Sequence, residues 1–124
     1  MVVAFENNLC FYLIEEDILR IRFRPGVIIT LDAAKAMVAD RYRIQEGLVY
    51  PLLCDIQGIV EIDRLARNYL ALEGSYLIRA TALVVCHPTS EAISEFYLHT
   101  TYSPVPTESF YNLREALVFL REYL

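Results

Sequence analysis

The sequence predicts an α/β domain: an N-terminal β-hairpin, then alternating strands and helices, giving a mostly parallel sheet of four or five strands flanked by four helices. Three observations carry this. Residues 50–56 and 80–86 are short, nearly all-apolar runs, the pattern of strands buried on both faces. Leu19, Ile21 and Phe23 alternate with Arg20, Arg22 and Arg24, as a strand with unlike faces requires. After each apolar run comes a helix-start signal and then apolar residues at three- and four-residue steps.

Residues 9–14 and 18–23 flank Glu15-Glu16-Asp17, two short strands around an acidic turn. Pro25-Gly26 interrupts the ladder, and residues 27–29 resume extended structure briefly. Thr30 is a good helix N-cap, and Asp32 suits the positive end of the helix that follows. Leu31, Ala34, Met37, Val38 and Tyr42 form its apolar stripe to about Glu46, and Gly47 is placed to end it in the left-handed conformation. Gln57-Gly58 opens a loop, and Asp63 can cap a second helix from Arg64 to about Glu73. His87-Pro88-Thr89-Ser90 starts a third, with Ile93, Phe96, Tyr97 and Thr100 expected on its buried side, and Pro104 and Pro106 stop it. Residues 107–111 read as a short extended piece. Asn112 with Glu115 then opens a last helix along Leu113, Ala116, Leu117, Leu120 and Leu124.

Length and composition narrow the function classes. The 124 residues suit one domain, taken as residues 1–124, able to bury a core without metal or disulfide staples. Hydrophobic residues make up 56% of the chain, too many for a disordered segment. Charges interrupt every apolar run well short of the ~20 residues a membrane helix needs. The first residues, Met-Val-Val-Ala-Phe-Glu, lack the basic flank of a secretory signal, so a cytoplasmic location is expected. A net charge of −5 argues against nucleic acid as a partner. Cys10, Cys54 and Cys86 are spaced as neither a redox pair nor a zinc set and read as reduced core residues.

Ligand and partner sites in such sheets lie beyond the carboxyl ends of the parallel strands, here residues 55–63 and 87–90. The four glycines are scattered, so there is no phosphate loop, and no serine stands between glycines as in a nucleophile elbow. Cys86 and His87, adjacent in an extended chain, point to opposite faces, and His99 lies too far along its helix to complete a metal set. Asp55, Glu61 and Asp63, with Arg64 or His87, could do acid–base work, but Asp55 ends a strand and Asp63 starts a helix, where aspartate is favoured for backbone reasons alone. The Arg20, Arg22, Arg24 stripe could receive an acidic partner or guard an edge strand against aggregation.

The hairpin, Arg24-Pro25-Gly26, the helix from Thr30, Tyr50-Pro51-Leu52-Leu53-Cys54-Asp55-Ile56-Gln57-Gly58, and Phe110 with Glu115-Ala116-Leu117-x-x-Leu120 together resemble the STAS-like domains. The likeness is to the small stand-alone members grouped with the sporulation anti-sigma-factor antagonist, and it runs from residue 9 to residue 124. It implies a compact (βα) superhelical fold, a protein-interaction role in bacterial regulation, and no cofactor. Phosphorylated members of the group carry a serine or threonine just after an aspartate at the start of the helix, where a kinase that is also the anti-sigma factor modifies it. Asp63 matches that aspartate, but Arg64 and Leu65 follow, and residues 55–74 contain no Ser or Thr to accept a phosphoryl group.

The expectation is therefore a non-catalytic interaction module whose partner, an anti-sigma-factor-like kinase or another regulator, meets the loop after residue 56 and the helix after Asp63. Gly58 is expected to permit close approach, Asp63 to cap the helix, and Arg64 and Arg67 to pair with partner carboxylates. The alternative is a carrier of a small apolar, lipid-like ligand, suggested by the aromatic-rich stretch 96–111 and needing ~300 Å³ or more of pocket. Residues 9–14, apolar on both faces and expected at the sheet edge, point to a homodimer contact through Phe11 and Tyr12.

Overall fold

The computed structural model describes residues 2–124. Strands β2 (Cys10–Glu15) and β3 (Ile18–Phe23) form the expected antiparallel hairpin. Its two linking residues, Glu16 and Asp17, have φ of 54° and 63°. Two positive-φ residues in a two-residue loop match the right-handed twist of the strands they join. Beyond β3 the chain alternates: α1 (Leu31–Gln45), β5 (Tyr50–Asp55), α2 (Arg64–Leu72), β7 (Ile78–Val84), α3 (Pro88–Thr100), β8 (Thr107–Phe110) and α4 (Leu113–Arg121). Strands β3, β5, β7 and β8 run parallel to one another in the sheet.

The structure adds two strands the sequence reading left out. Strand β1 (Val3–Glu6) pairs antiparallel with the outer side of β2, so the main sheet has six strands in the order β1-β2-β3-β5-β7-β8. Residues 9–14 therefore do not form an edge, and β3 with its arginines lies inside the sheet. Four alternating residues made too weak a signal to place β1. Asn7 turns the chain between β1 and β2, its Oδ1 accepting from the Leu9 and Cys10 amides at 2.8 and 2.9 Å. The second addition is β6 (Ile59–Ile62), which pairs in parallel with β4 (Val27–Ile29) as a separate ribbon beside the main sheet.

Adjacent residues of the central strands feed different cores. Leu52, Leu83 and Val85 join Ile21, Phe23, Met37 and Ala66 beneath α1 to α3, whereas Leu53, Ala80, Ala82 and Val84 meet Ala116 and Leu120 of α4. The alternation of strand side chains thus places three helices on one face and one on the other. All four helices begin on the residue expected. Thr30, Asp63, His87 and Asn112 each accept a backbone N–H of the first turn. Helix α1 ends with both Glu46 and Gly47 at positive φ.

Side-chain placement departs from expectation in a few places. On α3 the fully buried residues are Ser90 and Ser94, while Phe96 and Thr100 face solvent. Leu113 and Leu124 are exposed as well, because α4 spans only part of its sheet face. Cys86 lies just past the end of β7 and is exposed, its Sγ donating to the Tyr111 carbonyl at 3.3 Å, whereas Cys10 is buried. Tyr12 is buried as well, its hydroxyl donating to the Met37 carbonyl at 3.0 Å. Phe11 is half-covered between the guanidinium groups of Arg22 and Arg24, at 4.6 and 4.2 Å from its ring centre. The hairpin therefore lacks the exposed Phe11 and Tyr12 pair on which the homodimer expectation rested.

Candidate functional site

The carboxyl end of β5, the β4–β6 ribbon and the start of α2 form the region where sequence reasoning placed a partner site. Asp55 closes β5 with an Asx turn, its Oδ1 accepting from the Gln57 amide at 3.1 Å and from Gln57 Nε2 at 3.0 Å. The Gln57 carbonyl lies 3.0 Å from His87 Nε2. Because His87 Nδ1 already accepts the Ser90 N–H at 3.2 Å, Nε2 must be the nitrogen that carries the proton. The ring thereby ties the end of β5 to the N-terminus of α3.

Gly58 does permit a close approach, but to its own chain. A Cβ there would lie 2.3 Å from the Arg24 carbonyl oxygen and 2.6 Å from that of Phe23. The Gly58 carbonyl accepts from the amides of Gly26 and Val27 at 2.8 and 3.1 Å, and so starts the β4–β6 ribbon. Asp63 caps α2 as expected, its Oδ1 accepting from the Ala66 amide at 2.8 Å. Arg67 lies with Cζ 4.4 Å from the centre of the Phe96 ring, and its Nη1 donates to the Ile62 carbonyl at 3.2 Å. Arg67 thus binds α2 to α3 and to the ribbon. Arg64 is exposed and in no ion pair among the described residues.

Several large apolar side chains of these elements are exposed. Leu65 on α2 is 62% exposed and Phe96 on α3 is 52% exposed, with Ile28 and Val60 of the ribbon similarly open. Sequence patterning missed this surface, because Phe96 counted toward a buried stripe and residues 59–62 counted as loop. The available signal was the pair Ile28 and Val60, apolar residues next to Ile29 and Ile59, which as strand neighbours must point to the opposite face.

The acid–base and metal candidates do not converge. Asp55 and Asp63 are engaged with backbone, and His99 pairs with Glu95 at 3.2 Å on the open side of α3. Among the described residues no group of three or more His, Cys, Asp or Glu is placed to hold a metal ion. No helix among them is long and apolar enough to cross a membrane.

Comparison with known proteins extends these observations. No curated protein matches the chain. Among solved structures it is similar to an uncharacterized protein of the DUF3478 family with a SpoIIAA-like fold from Shewanella loihica PV-4. The two share 16% identity with a TM-score of 0.59, over 97% of this chain and 92% of that one. The fold is therefore SpoIIAA-like, in agreement with the STAS-like resemblance read from the sequence. The family model that matches, over residues 12–124, is the domain of unknown function DUF7793, and the chain belongs to that family.

Proposed function

We propose that this protein is a bacterial, cytoplasmic interaction module that acts by binding a regulatory protein rather than by catalysis. The observation that carries this reading is the open apolar surface around the start of α2. Leu65 and Phe96 supply anchors there, Ile28 and Val60 widen it, and Arg64 stands ready beside them for a carboxylate. The partner's matching face would be apolar with an acidic rim, and an anti-sigma-factor-like kinase or another regulator fits the resemblance. Gly58 and Asp63 set the shape of this surface, Arg67 braces Phe96, and Arg64 makes the outward contact.

Regulation here would differ from the phosphorylated members of the group. Arg64 follows the capping aspartate where those members carry their hydroxyl, so the position is permanently positive. Binding is then set by the amount of partner or by another ligand, with no phosphate added at the position after Asp63.

The test uses tagged full-length protein as bait in the source organism, with wild type and a double variant, Arg64→Glu with Leu65→Asp, run in parallel. A partner recovered with wild type and lost with the variant, at an unchanged melting curve, supports the assignment. Equal recovery with both baits would remove it. Arg67→Glu is a poorer probe, because Arg67 also supports Phe96 and the Ile62 carbonyl.

A further inference from the structure

The larger core is incompletely filled. Between the sheet and α1 to α3 lies a cavity of about 100 Å³, walled mostly by apolar side chains that include Leu52, Leu83, Ile93 and Tyr97. Two polar residues in its wall are out of keeping with that lining. Arg41 of α1 is 2% exposed, yet it forms no ion pair among the described residues. Its acceptors are neutral: Gln45 Oε1, and the Gly74 carbonyl at 3.0 Å. The Tyr42 ring lies 4.9 Å from its Cζ, but neither that face nor the two acceptors carries a full negative charge, so the guanidinium is buried without an anion. Burying a charge without a counter-charge is costly, and burial accordingly weakens the hold of Arg41 on its proton. Ser94 of α3, 1% exposed, also lines the cavity, and its Oγ has no hydrogen-bond partner among the described residues. Buried polar groups are nearly always paired, so two deficits in the wall of one apolar cavity call for an explanation.

We propose that this cavity is a binding site for a small monocarboxylate with an apolar body of roughly two or three carbons. The carboxylate would supply the negative charge that Arg41 lacks, and a charge-assisted bond to a guanidinium is among the stronger interactions open to a small anion. The hydrocarbon would fill space that water cannot occupy well, since water needs two or more polar partners. An apolar cavity of roughly 150 Å³ takes up the six carbons of benzene, so a site of about 100 Å³ calls for a smaller body. Ser94 adds a second hydrogen-bonding group, which a purely apolar guest would leave unpaired. This site lies inside the domain and does not depend on the partner surface proposed above.

Saturation-transfer NMR and thermal melting on the full chain test the proposal, with propionate, butyrate and isobutyrate as probes and their amides as neutral counterparts. At least one carboxylate is expected to receive saturation at its alkyl protons and to raise the melting temperature with concentration. Its amide should bind at least about tenfold more weakly. Ser94→Leu, which puts side-chain carbon into the cavity, should abolish binding while the protein still melts cooperatively. Arg41→Met should erase the preference for carboxylate over amide. If Arg41→Met does not fold, the comparison of acid and amide on wild type still decides the point. Arg64→Glu should leave binding intact, which separates this site from the partner surface. Failure of all three carboxylates, equal binding of acid and amide, or binding undiminished in Ser94→Leu would each overturn the proposal. A preference for dodecanoate over the short acids would also overturn it, in favour of a lipid-sized site.

Discussion

The two faces of the main sheet are packed by different rules. Under α4 the contact is made by Ala80, Ala82 and Ala116 with Leu120, Leu53, Val84 and Ile18, small residues that bring helix and strands close together. Under α1 to α3 the side chains are larger, a cavity remains, and a buried arginine and an unpaired serine face it. The larger core also holds Cys10, Tyr12, Cys54 and Tyr97, whose protons burial makes harder to remove. One face is built for close packing, and the other keeps space and polar groups that packing alone does not require. Substitutions of the same kind should therefore act differently on the two sides.

The largest effect is expected on the tight side. Leu120→Ala, at a fully buried residue, should lower stability by about 2–5 kcal/mol in urea denaturation, the range for an unrelaxed core cavity. A loss well under 1 kcal/mol would show that α4 collapses easily and that the contrast is overstated. Next comes Ala116→Leu, which must force side-chain carbon into a contact already closed and should cost about 1–3 kcal/mol.

A further effect should be seen in alkali. Burial pushes the Cys10 thiol up to about 11 from its ordinary 9.0. The folded state then keeps a proton that the unfolded chain releases, so this contribution is full below pH 9 and is lost as pH rises toward 11. Melting measured across that window should show stability falling with pH, and less steeply in Cys10→Ala. An identical slope in the variant would mean that the loss comes from Cys54 and the buried tyrosines instead. The smallest change is expected for Ser94→Leu on the looser side. It should be neutral or should stabilise by roughly 0.5–1 kcal/mol, since it fills space and removes an unpaired hydroxyl. A loss comparable to that of Ala116→Leu would erase the distinction between the faces.

Much of the architecture was legible because it rests on local rules. Thr30, Asp63, His87 and Asn112 announce their helices through side-chain oxygens or a ring nitrogen that satisfy the first free N–H groups. Residues 50–55 announce a central strand because both faces are covered. The four-residue strands β1 and β6 were not legible, since four residues carry too short an alternation; β1 depends on the adjacent β2, and β6 on the distant β4 and on backbone contacts around Gly58. Gly58 itself was recognised as a point of close approach, but its neighbour is the chain's own Arg24 carbonyl.

The same division runs through the candidate sites. Asp63 could be assigned its cap from sequence, and the lack of a serine or threonine between residues 55 and 74 needed no coordinates. Arg67 looked like a free cation until α3 was seen to place Phe96 beneath it, and Phe96 looked buried until the helix was seen end to end. Arg41 and Gln45 fall on the inner side of α1 at helical spacing, yet helical periodicity alone does not say that an arginine there meets no carboxylate. Composition, caps and strand alternation thus specify which elements form and which way each faces, because those depend on neighbours a few residues away. Which surfaces stay open, and where a charge is buried without its opposite, depend on residues brought together from distant parts of the chain, and only the packed tertiary structure decides them.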